Sequence, residues 1–400
     1  MKTKRLKIYV EILFIIVATL WMFHEAGGRF YLPLSEPDEA AWIYSGYYFN
    51  LYFLKFDLSH ADWVDYDAYD HPPLVKYIVG GTLFVKGYVF NSLDAKKLWR
   101  SIPMDRYLVN YRLMKSELPD QILPLTRFVI FSFAFLSLVL LYMFIRNFYG
   151  ILPAIVCTSL LITNEIFIRL STQTIADPVL LFFFIFFVWL CSQYIKSNKP
   201  IYVLGGFILS AFAFLTKLNG LILILVLIFV LLLKNKFSIP RYPYKVLVLG
   251  FLSFFSIAVI LNPFFLKSGV QGLFKMVDHR VTHLKLQQET FKISSLPSLG
   301  ERLTAETDVI FFKYSKIREL TGVPLEIILF LLGICYLLVK RDLTLFTILI
   351  FFVAAPLSVL PINWVRYYYT VIPFVYLVSA TSLNLFKTSD RTLAQTRYAE

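Results

Sequence analysis

Charge is scarce in this chain: of its 400 residues only 16% are Asp, Glu, Lys or Arg, while 58% are hydrophobic. A soluble domain needs more polar cover than that, and a disordered one needs more still, so the balance excludes both. Cysteine is nearly absent. Cys157, Cys191 and Cys335 lie inside apolar runs with no C-x-x-C spacing, which excludes a disulfide scaffold and a cysteine zinc site and says nothing of redox compartment. Glycine is sparse too, and the pairs Gly27-Gly28, Gly80-Gly81 and Gly205-Gly206 form neither G-x-G-x-x-G nor a P-loop, so no nucleotide cradle is visible. An internal repeat and a low-complexity linker are lacking. So is a small-x-small cleavage site at Trp21-Met22-Phe23-His24-Glu25, so the basic start followed by an apolar run reads as an uncleaved anchor.

What is present is apolar sequence in long runs. They lie near 8–24, 122–145, 150–168, 178–195, 200–216, 218–233, 244–262, 323–339, 343–360 and 367–386, and mean hydropathy is +0.67. The fold class this predicts is an all-α polytopic membrane protein of about ten spans, one transmembrane domain over 1–400. The net charge of +13 comes from short Lys/Arg clusters between runs, which orient the chain and meet anionic lipid, so nucleic acid is set aside as a partner. Placing Lys2 to Lys7, Arg146, Lys196 with Lys199, Lys234 to Lys245, Lys340 with Arg341, and Lys387 with Arg391 in the cytoplasm puts both termini inside. Leu74 to Phe90 would spoil that alternation as a span. It is therefore read as an interfacial or re-entrant helix, begun by Pro72-Pro73, in a first outer loop 25–121; a second outer loop covers 263–322.

With this topology Asp38, Glu39, His71, Lys76, Arg169, Asp177, Lys217 and Arg366 all reach the extracytoplasmic side. Charges at span ends are costly unless paired or solvated. Arg169, Lys217 and Arg366 meeting one cavity would suit a phosphate, arginine through bidentate hydrogen bonds and lysine as a point charge; snorkelling, or an ion pair such as Arg169 with Asp177, is the plainer reading. Ser35-x-x-Asp38 with Pro37 between also reads as a helix start closed by a capping box, whereas Glu39 is not needed for a cap. The helix expected over Ala40 to Leu54 carries Trp42, Tyr44, Tyr47, Tyr48 and Tyr52, which suits aromatic anchors at the bilayer surface. Asp62, Asp65, Asp67 and Asp70 are a solvated acidic loop or oxygen ligands for a divalent cation, and His279 with His283 share a helical face but lack a third zinc ligand; the metal is unknown.

Pro37-Asp38-Glu39-Ala40, Asp70-His71-Pro72-Pro73-Leu74-Val75-Lys76, Ala176-Asp177-Pro178, Phe214-Leu215-Thr216-Lys217 and Arg366-Tyr367 stand in an order that resembles the GT-C superfamily of polyprenyl-phosphate-sugar-dependent glycosyltransferases. The likeness is to the branch holding protein O-mannosyltransferases and lipid A aminoarabinose transferases. The resemblance implies a helical bundle with the catalytic acid in the first outer loop. It also implies inverting transfer of a sugar from a polyprenyl-phosphate carrier to a hydroxyl of a protein, lipid or glycan outside the cytoplasm, across the plasma membrane in a prokaryote. On that reading Asp38, Glu39 and His71 are catalytic, Lys76, Arg169, Lys217 and Arg366 bind the donor phosphate, and Asp70 and Asp177 support them. A lipid-linked-sugar flippase is the rival, since charges within spans also line transport paths.

Overall fold

A computed structural model describes residues 2–33, 37–69, 71–90, 121–234 and 244–385. Ser35, Asp70 and the basic positions Lys236, Arg241, Lys387 and Arg391 lie outside the described residues. Among the described residues the chain is all-helical, with apolar helices of membrane-spanning length, and the one β-type pairing is an isolated bridge between Ser295 and Ile362.

In chain order the helices used below are α1 (Lys2–Phe30), α2 (Pro37–Tyr44), α3 (Leu74–Val85), α4 (Ile122–Phe148), α5 (Ile151–Thr163), α6 (Glu165–Ser171), α7 (Asp177–Ser197), α8 (Pro200–Thr216), α9 (Ile222–Lys234), α10 (Tyr244–Leu261), α11 (Pro263–Ser268), α12 (Gln271–Thr290), α13 (Leu299–Thr307), α14 (Leu325–Lys340) and α15 (Ile372–Thr381). Four described stretches, Ile8–Phe30, Ile122–Phe148, Asp177–Ser197 and Tyr244–Leu261, are long and apolar enough to cross a membrane, and α5 with α6 makes a fifth if the pair is one span bent by 69°. The bend falls at Asn164, whose Oδ1 accepts the Phe167 N–H at 2.9 Å. An asparagine inside an apolar run thus ends one helix and caps the next. At twelve residues α3 spans about 18 Å, short of the roughly 30 Å hydrocarbon core.

The helices fall into two compact units. The first holds Met1–Gly27, Leu136–Leu170 and Phe291–Glu400; the second holds Gly28–Phe135 and Ser171–Thr290. Within the first, α14 and α5 both pack against α15. Also within it, Glu11 accepts from Tyr142 Oη at 3.0 Å and pairs with Arg146.

Within the second unit α7, α8 and α10 pack side by side. Pro178 and Pro200 start α7 and α8, where a missing N–H costs nothing, and Asn198 closes α7 in the left-handed conformation (φ 58°) with its N–H on the Tyr194 carbonyl. The segment after α2 crosses α3 at Gly46 and Gly80. A Cβ on Gly80 would sit 2.4 Å from the Gly46 carbonyl oxygen, so only glycine permits this approach.

The aromatic residues expected at a lipid surface turn inward instead. Trp42, Tyr44, Tyr47, Tyr48 and Tyr52 are all buried, and Tyr47, Tyr48, Leu51 and Tyr52 form one core with Trp63, Ala68 and Tyr77. Hydroxyls of this core find partners inside the unit: Tyr47 donates to Asp62 Oδ2 at 2.8 Å, Tyr52 to the Ile260 carbonyl at 2.8 Å and, from α3, Tyr77 to the Leu261 carbonyl at 3.0 Å. Those last two carbonyls end α10, so the first loop is docked onto the exit of a span by its own unsatisfied acceptors.

Candidate active site

Asp38 and Glu39 occupy the first turn of α2, where a carboxylate is favoured by the helix dipole, yet their surroundings differ completely. Asp38 is partly exposed. Glu39 is not: its side chain is 0% exposed and Arg127, itself 2% exposed, grips it through Nε–Oε1 at 2.9 Å and Nη2–Oε2 at 2.7 Å. The Thr174 N–H also donates to Oε1 at 2.8 Å. Arg127 spends its remaining donors on the chain entering α2, reaching the carbonyls of Arg29 at 3.0 Å, Phe30 at 3.1 Å, Leu32 at 2.6 Å and Pro33 at 3.5 Å. A single planar guanidinium therefore fixes both flanks of the segment that presents Asp38. Sequence reading passed over Arg127 because it lies in the apolar run 122–145; the signal was there, since an arginine inside a span demands a partner.

The same brace reaches the turn before α7. Thr174 Oγ1 donates to Thr126 Oγ1 at 2.9 Å, and three residues on, Asp177 Oδ1 accepts from Lys217 Nζ at 2.9 Å. Both partners are mostly buried, with 13% and 8% of the side chains exposed. Lys217 is extended (φ −158°, ψ 144°) between α8 and the 3₁₀ turn Leu218–Leu221. Gly220 in that turn lies so close to α8 that a Cβ would meet the Ala213 carbonyl carbon at 2.2 Å, so Leu218-Asn219-Gly220 is a turn that needs its glycine.

His71 is half-buried, its ring 5.0 Å from that of Trp42 in α2. Lys76 is 1% exposed, with Nζ 3.4 Å from the Ala68 carbonyl and 4.7 Å above the Tyr48 ring. Asp62 accepts from Tyr47, and burial, together with that hydrogen bond, raises the Tyr47 hydroxyl well above its ordinary pKa. Among the described residues no three His, Cys, Asp or Glu side chains gather as metal ligands. The rings of His279 and His283 stack 6.1 Å apart on α12, with Gln287 Nε2 at 2.9 Å from His283 Nε2.

In the first unit, Arg169 lies in the last turn of α6 and Arg366 in the 3₁₀ turn Val365–Tyr368. The Phe167 and Tyr369 rings stack in parallel, centroids 5.5 Å apart at 5°, which joins the two arginine-bearing segments. The Arg366 guanidinium lies over Trp364 at 4.7 Å and Tyr367 at 5.5 Å. Beside this turn, Tyr368 feels the buried carboxyl of Glu306 on α13, whose burial pushes it up to about 8. The predicted residues thus form two groups: Asp38, Glu39, His71, Lys76, Asp177 and Lys217 in one unit, Arg169 and Arg366 in the other.

No protein-family model matches the sequence, and no curated protein matches it. Solved structures do match by fold. ArnT from Cupriavidus metallidurans bound to undecaprenyl phosphate aligns over 93% of this chain with a TM-score of 0.59 at 14% identity, and its apo state over 93% with 0.53 at 13%. The archaeal oligosaccharyltransferase AglB from Archaeoglobus fulgidus, in complex with an inhibitory peptide and a dolichol-phosphate, aligns over 98% with 0.51 at 14% identity. The chain spans 60% and 59% of the length of the two ArnT chains and 52% of AglB. It shares the fold of these GT-C glycosyltransferases.

Proposed function

We propose that this protein transfers a sugar from a polyprenyl-phosphate carrier to an acceptor hydroxyl on the extracytoplasmic side, with inversion at the anomeric carbon. The observation that carries the proposal is the division of labour in α2: a partly exposed Asp38 directly beside a Glu39 that is fully buried and held by Arg127. One carboxylate is partly exposed, and its neighbour braces the helix turn that carries both. Asp38 takes the acceptor's proton as the oxygen attacks the anomeric carbon; the bond from that carbon to the phosphate oxygen breaks, and its electron pair leaves with the lipid phosphate. Arg169, Lys217 and Arg366 stabilise charge on the departing phosphate, Asp177 orients Lys217, and His71 orients the acceptor. Lys76 is buried with its Nζ on the Ala68 carbonyl, so its service to the phosphate is indirect. We further propose ten crossings of one membrane domain, the shorter apolar helices completing the count, with both termini cytoplasmic and, in a prokaryote, in the plasma membrane.

The fold likeness to proteins solved with undecaprenyl phosphate and dolichol-phosphate supports this donor class. The acceptor hydroxyl belongs to a protein, lipid or glycan. Purified Asp38→Asn should bind polyprenyl phosphate as the wild type does and turn over at least about a hundredfold more slowly, the low end of what a positioned base supplies. Wild-type turnover in Asp38→Asn would overturn the assignment. One observation favours the transporter reading, the helix broken at Asn164. Movement of uncleaved sugar lipid across the bilayer is what that reading requires.

A further inference from the structure

Helix α12 has two apolar sides, and the packing of its own unit uses only one. Gly272 and Met276 are buried and His279 and His283 are partly so, on the side where His279 meets Tyr69 at 5.6 Å and Phe264 approaches Gly272. The opposite side is a stripe of Phe274, Val277 and Val281, spaced by three and four residues and continued backward by Val270, all exposed, at 70%, 43%, 46% and 77%. Repeats of three and four residues keep side chains on one helical face. An exposed apolar stripe of this kind in water would be a liability, and nothing in the folding of α12 onto Tyr69 and Phe264 requires it.

Two further features say what covers it. First, the chain reaches α12 directly from a span: α10 ends at Leu261, Asn262 caps α11 by accepting the Phe264 N–H, and Gly269 (φ 56°) turns the chain into α12. The apolar exposure is continuous along this path, from Val248, Leu252, Phe255 and Ile260 on α10 through Leu266 to Val270 and Phe274. Tyr52 and Tyr77 hold the end of α10 by hydrogen bonds to the Ile260 and Leu261 carbonyls, and α12 starts at Gln271, shortly after that candidate span ends at Leu261. Second, Arg280 lies on one edge of the stripe and Lys285 with Asp278 on the other; with Lys267 and Lys275, the segment 267–290 carries four Lys/Arg against Asp278 and Glu289, a net basic surround. Basic borders around an apolar stripe match an anionic headgroup layer over acyl chains.

We infer that α12 is a membrane-surface helix whose Phe274, Val277 and Val281 stripe lies in the lipid of the leaflet where α10 exits, with Arg280 and Lys285 on anionic headgroups. The bilayer thereby fixes the height of Tyr69, and through it of the loop ending in His71, against the surface where a lipid-borne substrate would present its headgroup. The lipid contact itself does not depend on the proposed transferase chemistry.

Site-directed spin labelling of the full chain in nanodiscs tests this. With Cys335→Ser removing the one exposed cysteine among the described residues, single labels go at Phe274→Cys, Val277→Cys and Val281→Cys, and at Thr282→Cys and Glu289→Cys on the exposed polar edge. Labels on the stripe should collide with oxygen several-fold more readily than with a water-soluble nickel chelate. Those on the polar edge should do the reverse, and stripe labels should sit deeper with phosphatidylglycerol present than in phosphatidylcholine alone. Nickel access at all five sites would overturn the inference. So would stripe labels shielded from both reagents, which would mean a protein surface or a second copy covers the helix. Each label is at an exposed position, and coincident thermal melting with the parent protein confirms that it folds.

Discussion

Replacing Arg127 with methionine keeps most of its volume and removes the charge on which the Asp38 segment rests. Glu39 would be left as a carboxylate with 0% exposure and one donor, the Thr174 N–H, and the carbonyls of Arg29, Phe30 and Leu32 would lose their partner. Breaking a buried pair by removing one member costs about 3–5 kcal/mol, because an uncompensated charge stays inside. For a chain of this length that is a fall in melting temperature of roughly 4–6 °C. Glu39→Gln alone should cost less, since the amide oxygen still accepts from Thr174 and Arg127 keeps its carbonyls. The double variant Glu39→Gln/Arg127→Met should be more stable than Arg127→Met, by about 1–3 kcal/mol, as contacting residues couple. Scanning fluorimetry of the four proteins in one detergent reads all of this. Arg127→Lys separates folding from positioning: it keeps a charge but not the fork, so it should stay folded and lose turnover with little change in donor KM, because Asp38 is displaced and the phosphate groups are not. Equal melting of Arg127→Met and wild type, with equal turnover, would refute the brace.

Other consequences are as direct. Lys217→Met should weaken binding of polyprenyl phosphate about tenfold or more while leaving Asp177 without its 2.9 Å partner; Asp177→Asn should have the smaller effect, and isothermal titration with the lipid in detergent compares them. Glu306 has a folded pKa near 8, above the ordinary 4.5, so the folded protein holds its proton more tightly than the unfolded chain does. Its contribution is therefore full below pH 4.5 and is lost as pH rises toward 8; melting temperature should decline over that window in the wild type and decline less in Glu306→Gln, and parallel curves would refute the burial argument. Gly80→Ala should separate α3 from the segment after α2, since even a methyl group meets the Gly46 carbonyl, and a fall in melting temperature of several degrees is expected.

Much of this molecule is legible from residue order because a bilayer leaves the chain few choices. The apolar runs became helices, and Asp38, Asp177 and Lys217 stood out as charges where oil was expected. Two things were hidden for physical reasons. Arg127 is one charge in a strongly apolar window, and averaging over the window erases it, although its partner Glu39 had been picked out for other reasons. The aromatic residues from Trp42 to Tyr52 carry the composition of an interfacial belt, and long-range partners such as Asp62 for Tyr47 and an α10 carbonyl for Tyr52, which the local pattern does not show, meet them inside. The run 150–168 looked like one span, while Asn164 had the chemistry of a cap and used it.

The most direct measurement is the fate of the carrier. Purified protein in nanodiscs is given a polyprenyl-phosphate-hexose and candidate hydroxyl acceptors, and the lipid is followed by mass spectrometry. Release of polyprenyl phosphate that depends on acceptor and vanishes in Asp38→Asn is the result a transferase gives. Intact sugar lipid throughout, or release unchanged in Asp38→Asn, would contradict it.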